Sequence, residues 1–195
     1  MRKRSRTVAL TILGAAAFTV AGCREEQVDA QAFPDLASCQ AAAAQGGLFT
    51  AAECDQAFAE AAALHVEAAP RYDSLEVCEE QHGAGNCGSE AQQAGGSGSI
   101  FMPLLAGYLI GSMLGRATAG QAAAQPMYRN AQGGYTNAAR TTNFGSNTGR
   151  ATVGGQQFTR PAATAGQAPM SRATAASRGG FGSTGSSAAR SSSGG

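Results

Sequence analysis

The chain has no tryptophan, only two histidines, and no aspartate or glutamate beyond Glu90. Each absence narrows the function. No Ser–His–Asp set and no pair of acids facing a cleft stands out. The glycine-rich stretches lack the lysine and the strand–helix context that a nucleotide phosphate loop needs. The cysteines show no CxxC spacing, which argues against a zinc site even though His65 and His82 lie among them. No metal and no cofactor is expected, and the two histidines read as solvated helix residues. Nothing points to an enzyme.

The start of the chain is more informative. Arg2, Lys3, Arg4 and Arg6 form a basic n-region, and Val8 to Gly22 form an apolar run of signal-peptide length, short for a spanning helix. "VAGC" closes the run, placing a branched residue and two small ones before Cys23. That pattern predicts a lipoprotein signal over residues 1–22. The Cys23 thiol would carry a covalent diacylglycerol, with a further acyl chain on its amine, which together anchor stably. Arg24 follows where an aspartate would mark inner-membrane retention. The expected location is the cell envelope, on the periplasmic side, with the outer membrane favoured.

Four cysteines remain, Cys39, Cys54, Cys78 and Cys87, an even number in an oxidising compartment, and they read as two disulfides. Charge is split as sharply. All 13 acidic residues lie between Glu25 and Glu90, and eight arginines follow them with no acid among them. An acidic head is joined to a cationic tail.

Residues 33–90, after a tether at 23–32, read as an acidic helical module. Thr50 and Glu53 form a capping box, and Cys54, Ala57, Ala61, Leu64 and Ala68 share one stripe opposite Glu53, Glu60 and Glu67. Pro70 ends that helix. Asp73 is expected to cap a shorter helix ending at Gly83, and another helix starts near Pro34 or Asp35 and fades at Gly46. "FPDLASC" and "YDSLEVC" form a faint repeat, with an aromatic six residues and a leucine three residues before a cysteine. If each unit closes on itself the bridges are Cys39–Cys54 and Cys78–Cys87. Antiparallel packing would instead give Cys54–Cys87 with Cys39–Cys78, so the pairing stays open. An alanine-rich module of this size needs such staples.

After a Gly/Ser linker at 91–99 comes "FMPLLAGYLIGSMLG". Gly107, Gly111 and Gly115 recur every fourth residue, which predicts a glycine-striped helix over 100–115. At about 24 Å it is short for the ~30 Å hydrocarbon core. Its smooth face suits self-association at or in the membrane. Residues 116–195 are Gly, Ala, Ser, Thr, Gln and Arg with single spaced aromatics, a composition that predicts disorder. Such a tail would hold anionic envelope polymers, lipid headgroups or the protein's own acidic module, and the signal peptide removes nucleic acid from its reach. "RGGFG" (Arg178, Gly179, Gly180, Phe181, Gly182) is its one compact element, a candidate for recognition. The expected fold class is mostly disordered, with a small all-α disulfide-stapled module and one separate glycine-striped helix.

The lipobox at Cys23, the four later cysteines, "APRY", "CEEQHGAGNC", "MPLLAGY" and "RGGFG" occur in this order. In this the chain resembles the YgiB-like family of bacterial envelope proteins, filed as domain of unknown function 1190. The family implies no catalytic residues. Its members are often encoded beside an ATP-grasp ligase resembling glutathionylspermidine synthase. Two functions follow as expectations: a non-catalytic envelope scaffold or interaction protein, or a substrate or carrier whose C-terminal tail such a ligase modifies.

Overall fold

The computed structural model describes residues 27–112 and 123–178. Gln27–Phe33, which runs through the stretch expected to be tether into the first residue of the expected helical module, alternates exposed and buried residues over most of its length and forms strand β1. Three helices follow, each with a side-chain cap on its first turn. Asp35 caps α1 (Leu36–Ala44), accepting from the Ser38 N–H at 2.7 Å. Thr50 and Glu53 make the expected capping box on α2 (Ala51–Ala68). Ser74, not Asp73, caps α3 (Leu75–His82), which ends at Gly83. In the repeat, Ser74 occupies the place of Asp35, two residues after the aromatic, so the cap belongs to the repeated unit.

The cysteines pair as Cys39–Cys54 and Cys78–Cys87. The first bridge ties α1 to the first turn of α2. The second ties α3 to β2 (Cys87–Ser89), which pairs antiparallel with β3 (Phe101–Pro103) around the short helix α4 (Glu90–Ala94).

The rest of the described chain is mostly sheet. Strands β4 (Gly107–Gly111), β5 (Ala124–Arg129), β6 (Tyr135–Asn137), β7 (Asn143–Phe144) and β8 (Gly149–Gly154) join β1 in one sheet, ordered β7-β6-β5-β4-β1-β8. Every pairing is antiparallel. A 3-10 turn (Gly155–Phe158) and helix α5 (Arg172–Ser177) complete it. Tyr108 and Ile110 of β4 pack with Phe33, Phe49, Cys54, Ala57 and Ala61 beneath α1 and α2. Leu109, between them, faces the other way onto Val28, Met127, Tyr135 and Phe158.

This overturns the expectation of a mostly disordered chain with an all-α head and a separate apolar helix. The fold is α/β. A spacing of four residues brings side chains together on a helix, but it is also a multiple of two, so Gly107 and Gly111 share one face of a strand equally well. Their lack of side chains serves packing inside this chain. A Cβ on Gly111 would lie 2.7 Å from the Phe158 ring, and one on Gly107 would lie 2.7 Å from the Phe33 carbonyl oxygen. Gly107 also has φ +143°, which side-chain-bearing residues rarely adopt. Among the described residues Gly107 and Gly111 therefore form no helical stripe. Gly115 lies outside the described residues.

Nor are the described parts of the tail disordered. The tail contributes few large apolar side chains, yet β5 to β7 extend the sheet outward from the apolar β4 and β8 completes it beside β1. Pairing in the sheet satisfies backbone N–H and C=O groups of the inner strands, and that ladder needs little help from composition.

Candidate functional site: an arginine-lined groove

Two groups of polar side chains converge beyond the end of α2, one sealed and one open. His82 is fully buried and His65 is 7% exposed, which overturns their reading as solvated residues. The His82 Nδ1–H donates to the Arg129 carbonyl at 2.6 Å, leaving Nε2 to accept from the Tyr72 hydroxyl at 2.9 Å. His65 Nδ1 meets the Tyr128 hydroxyl at 3.2 Å, and the His82 and Tyr128 rings stand edge to face. Burial pushes the His82 imidazole down to about 4 and the Tyr72 hydroxyl up to about 12, and it raises Tyr128 as well. Burial also lowers His65. These four residues form a neutral polar core.

Arg71 builds the wall between this core and solvent. Its Nε donates to Glu90 at 2.6 Å, Nη1 to the Ala69 carbonyl and Thr164 Oγ1, and Nη2 to the Val66 carbonyl at 2.7 Å. It thereby caps the carbonyl end of α2 with a cation and fastens the loop after the 3-10 turn to it. Hydrogen bonding from Arg71 holds the Glu90 carboxyl below its ordinary range.

Outside that wall lie two adjoining cavities, each of about 520 Å³. Ala139, Pro161 and Ala162 line both, so the two are one groove. The first is bordered by Arg71, Arg140, Met170 and Arg178. The second is bordered by Gln125, Asn137, Thr142, Gln156, Gln157 and Arg160. No described residue lining either cavity is acidic or aromatic.

Arg140 stands at the junction in an unusual backbone state. Its φ is +57°, the one positive φ of a non-glycine among the described residues. Asn137 holds it there: its carbonyl accepts from the Arg140 N–H, while its side chain accepts from the Thr141 N–H and donates to Thr141 Oγ1. The Arg140 guanidinium donates to Gln81 Oε1 at 3.2 Å and borders Tyr72. No carboxylate pairs with Arg140 or Arg178 among the described residues, whereas Arg160 pairs with Glu67, and Arg172 with Glu76 and Glu80.

Of the candidate site residues named from the sequence, only Arg178 borders this groove, beside Ala68 and Pro70 from the end of α2. Cys23, Gly179, Gly180, Phe181 and Gly182 lie outside the described residues. Gly107 and Gly111 lie in the sheet, and the four cysteines are disulfides. Among the described residues no three His, Cys, Asp or Glu side chains converge as metal ligands would, and no helix is long and apolar enough to cross a membrane. Arg140 looks like any tail arginine in the sequence. The one sign of its role is Asn137 before Thr141, a spacing that suits a side-chain-closed loop.

These features define a disulfide-closed α/β fold carrying an open, arginine-lined groove. The family model described as "Protein of unknown function (DUF1190)" matches residues 27–194, and the chain belongs to that family. Similar curated proteins from several bacteria are described as UPF0441 proteins. The chain is 30% identical to one of Erwinia tasmaniensis over 190 residues, 90% of this chain and 78% of that one. It is 31% identical to one of Yersinia pestis over 195 residues, covering 92% and 80%. With a Klebsiella pneumoniae relative, identity is 32% over 139 residues, 63% of this chain and 59% of the relative. The alignment thus spans about three fifths of the Klebsiella proteins' length. No solved structure matches the chain significantly.

Proposed function

We propose that this chain is a non-catalytic binding protein of the bacterial cell envelope, carried on a membrane by the lipid on Cys23, with the groove as its docking surface. The observation that supports this is the division of its polar groups. The histidines and their tyrosine partners are spent on one another inside the core, while arginines, amides and hydroxyls face the open groove. A surface of that kind holds a partner through hydrogen bonds and charge.

A photo-crosslinker at Ala162, in the groove, and another at the exposed Val66 test the reading in intact cells, followed by membrane fractionation. The expected result is a crosslinked partner from position 162 only, in the outer-membrane fraction, with Cys23→Ser releasing the protein from membranes. Equal crosslinking from both positions, or membrane association untouched by Cys23→Ser, would contradict it. The ligase-substrate alternative concerns the chain beyond Arg178. It predicts a mass added to the tail only in cells that also make the ATP-grasp ligase.

A further inference from the structure

We propose that the groove binds an extended acidic peptide, a carboxylate seating at the Arg140–Arg178 end and the peptide backbone running along the amide-lined second cavity. This rests on reading the groove as the docking surface and names its ligand class.

Three observations carry it. The first is charge. Arg160 and Arg172 have carboxylate partners and Arg71 is satisfied by Glu90, but Arg140 and Arg178 border the first cavity without one among the described residues. Guanidinium groups present a planar fork that matches a carboxylate. The second is strain. An arginine is held at φ +57°, where glycine or asparagine would sit more easily, by an Asn137 loop that fixes its position at the junction of the cavities. Strain kept at an open site is a mark of a positioned group.

The third is the lining of the second cavity. Gln156 and Gln157 present amide donors and acceptors, as the alternating N–H and C=O of an extended peptide require, while Gln125 and Asn137 lie buried behind them with bonds to Thr159 and Thr141. Gln125 and Gln157 are held in place by bonds to the Thr159 carbonyl and the Thr142 hydroxyl, and the Gln156 amide makes no hydrogen bond among the described residues. Among the described lining residues no aromatic ring offers a sugar a stacking face, which disfavours a glycan. Two cavities in line are also more than a lone anion fills.

The test uses the full mature protein and fluorescein-labelled Ala-Glu-Ala-Glu-Ala, read by fluorescence anisotropy, beside its Gln-for-Glu, C-terminally amidated counterpart. The acidic peptide should bind at least tenfold more tightly than the neutral one, and more weakly as salt rises. Arg140→Gly should reduce its affinity tenfold or more without lowering the melting temperature, because glycine adopts φ +57° freely. Arg178→Gln should reduce it severalfold, and Arg150→Gln on the exposed strand β8 should leave it unchanged. Equal binding of both peptides, wild-type affinity in Arg140→Gly, no binding at all, or displacement by an acidic oligosaccharide at lower concentration than by unlabelled peptide would each overturn the ligand assignment. Amide shift mapping separates that failure from a deeper one. Perturbations within the groove keep it as the docking surface, and perturbations confined elsewhere remove both readings.

Discussion

The helical half of this chain and its strand-rich C-terminal half differ in how they come by their structure. The first carries its own instructions: caps at Asp35, Thr50 and Ser74, and a disulfide in each repeated unit. The second has few large apolar residues and takes its order from a sheet begun by β1 and β4. The row of glutamates on α2 joins them. Glu60 accepts the Ala123 and Ala124 N–H groups at 3.1 Å where β5 begins, and Glu67 takes Arg160 on its side chain while its carbonyl takes the N–H groups of Thr164 and Ala165. The opposite charges of the two halves are thus partly an internal docking device. The exposed ion pairs among them contribute little singly, about 0–1 kcal/mol each. The backbone hydrogen bonds they accompany set the alignment.

The largest predicted effect is at the joint between the halves. Arg71→Ala leaves Glu90 buried without its cation and frees the 164 loop, and such a loss costs about 3–5 kcal/mol. Chemical denaturation of the variant should show it, and a change under about 1 kcal/mol would mean the halves are held elsewhere. Acid should act next. His82 is neutral when folded, down to about pH 4, and takes up a proton near pH 6.5 when unfolded. Its contribution is therefore complete above pH 6.5 and is lost as pH falls from there toward 4, by about 3 kcal/mol in all. His82→Gln should flatten stability across that window, whatever it does at neutral pH.

Opening Cys39–Cys54, which closes a loop of 15 residues, should cost ~3 kcal/mol by the chain-entropy argument. It should loosen α1 and α2 before the strands beyond Ala124, and equal loss in both would show that the halves fold as one. Gly111→Ala should cost about 1–3 kcal/mol by pressing on Phe158. Phe158→Leu should recover part of it.

The helices were legible because their signals are local. Thr50 with Glu53, Pro70 and Gly83 each mark a boundary by chemistry within a turn of the chain. Aligning the two repeats would also have identified Ser74, the counterpart of Asp35. The strands were not legible for two reasons. The glycines of "GYLIG" recur at a spacing that fits a strand as well as a helix, and composition hides a strand that borrows its apolar neighbours from elsewhere. One turn signal was present. "RNAQGGYT" places Gly133 at φ +86° in the β5–β6 hairpin, where Asn130 Oδ1 accepts the Gln132 and Gly134 N–H groups. The groove was hidden because Arg71, Arg140 and Arg178 meet only through the fold.

The central claim is that the C-terminal half is ordered as strands of the sheet that β1 begins. Amide hydrogen exchange of the mature protein tests it most directly. The Leu109 and Tyr128 amides, within β4 and β5, should exchange orders of magnitude more slowly than those of an unstructured chain. Exchange of residues 124–154 at unstructured rates, with α2 still protected, would contradict it.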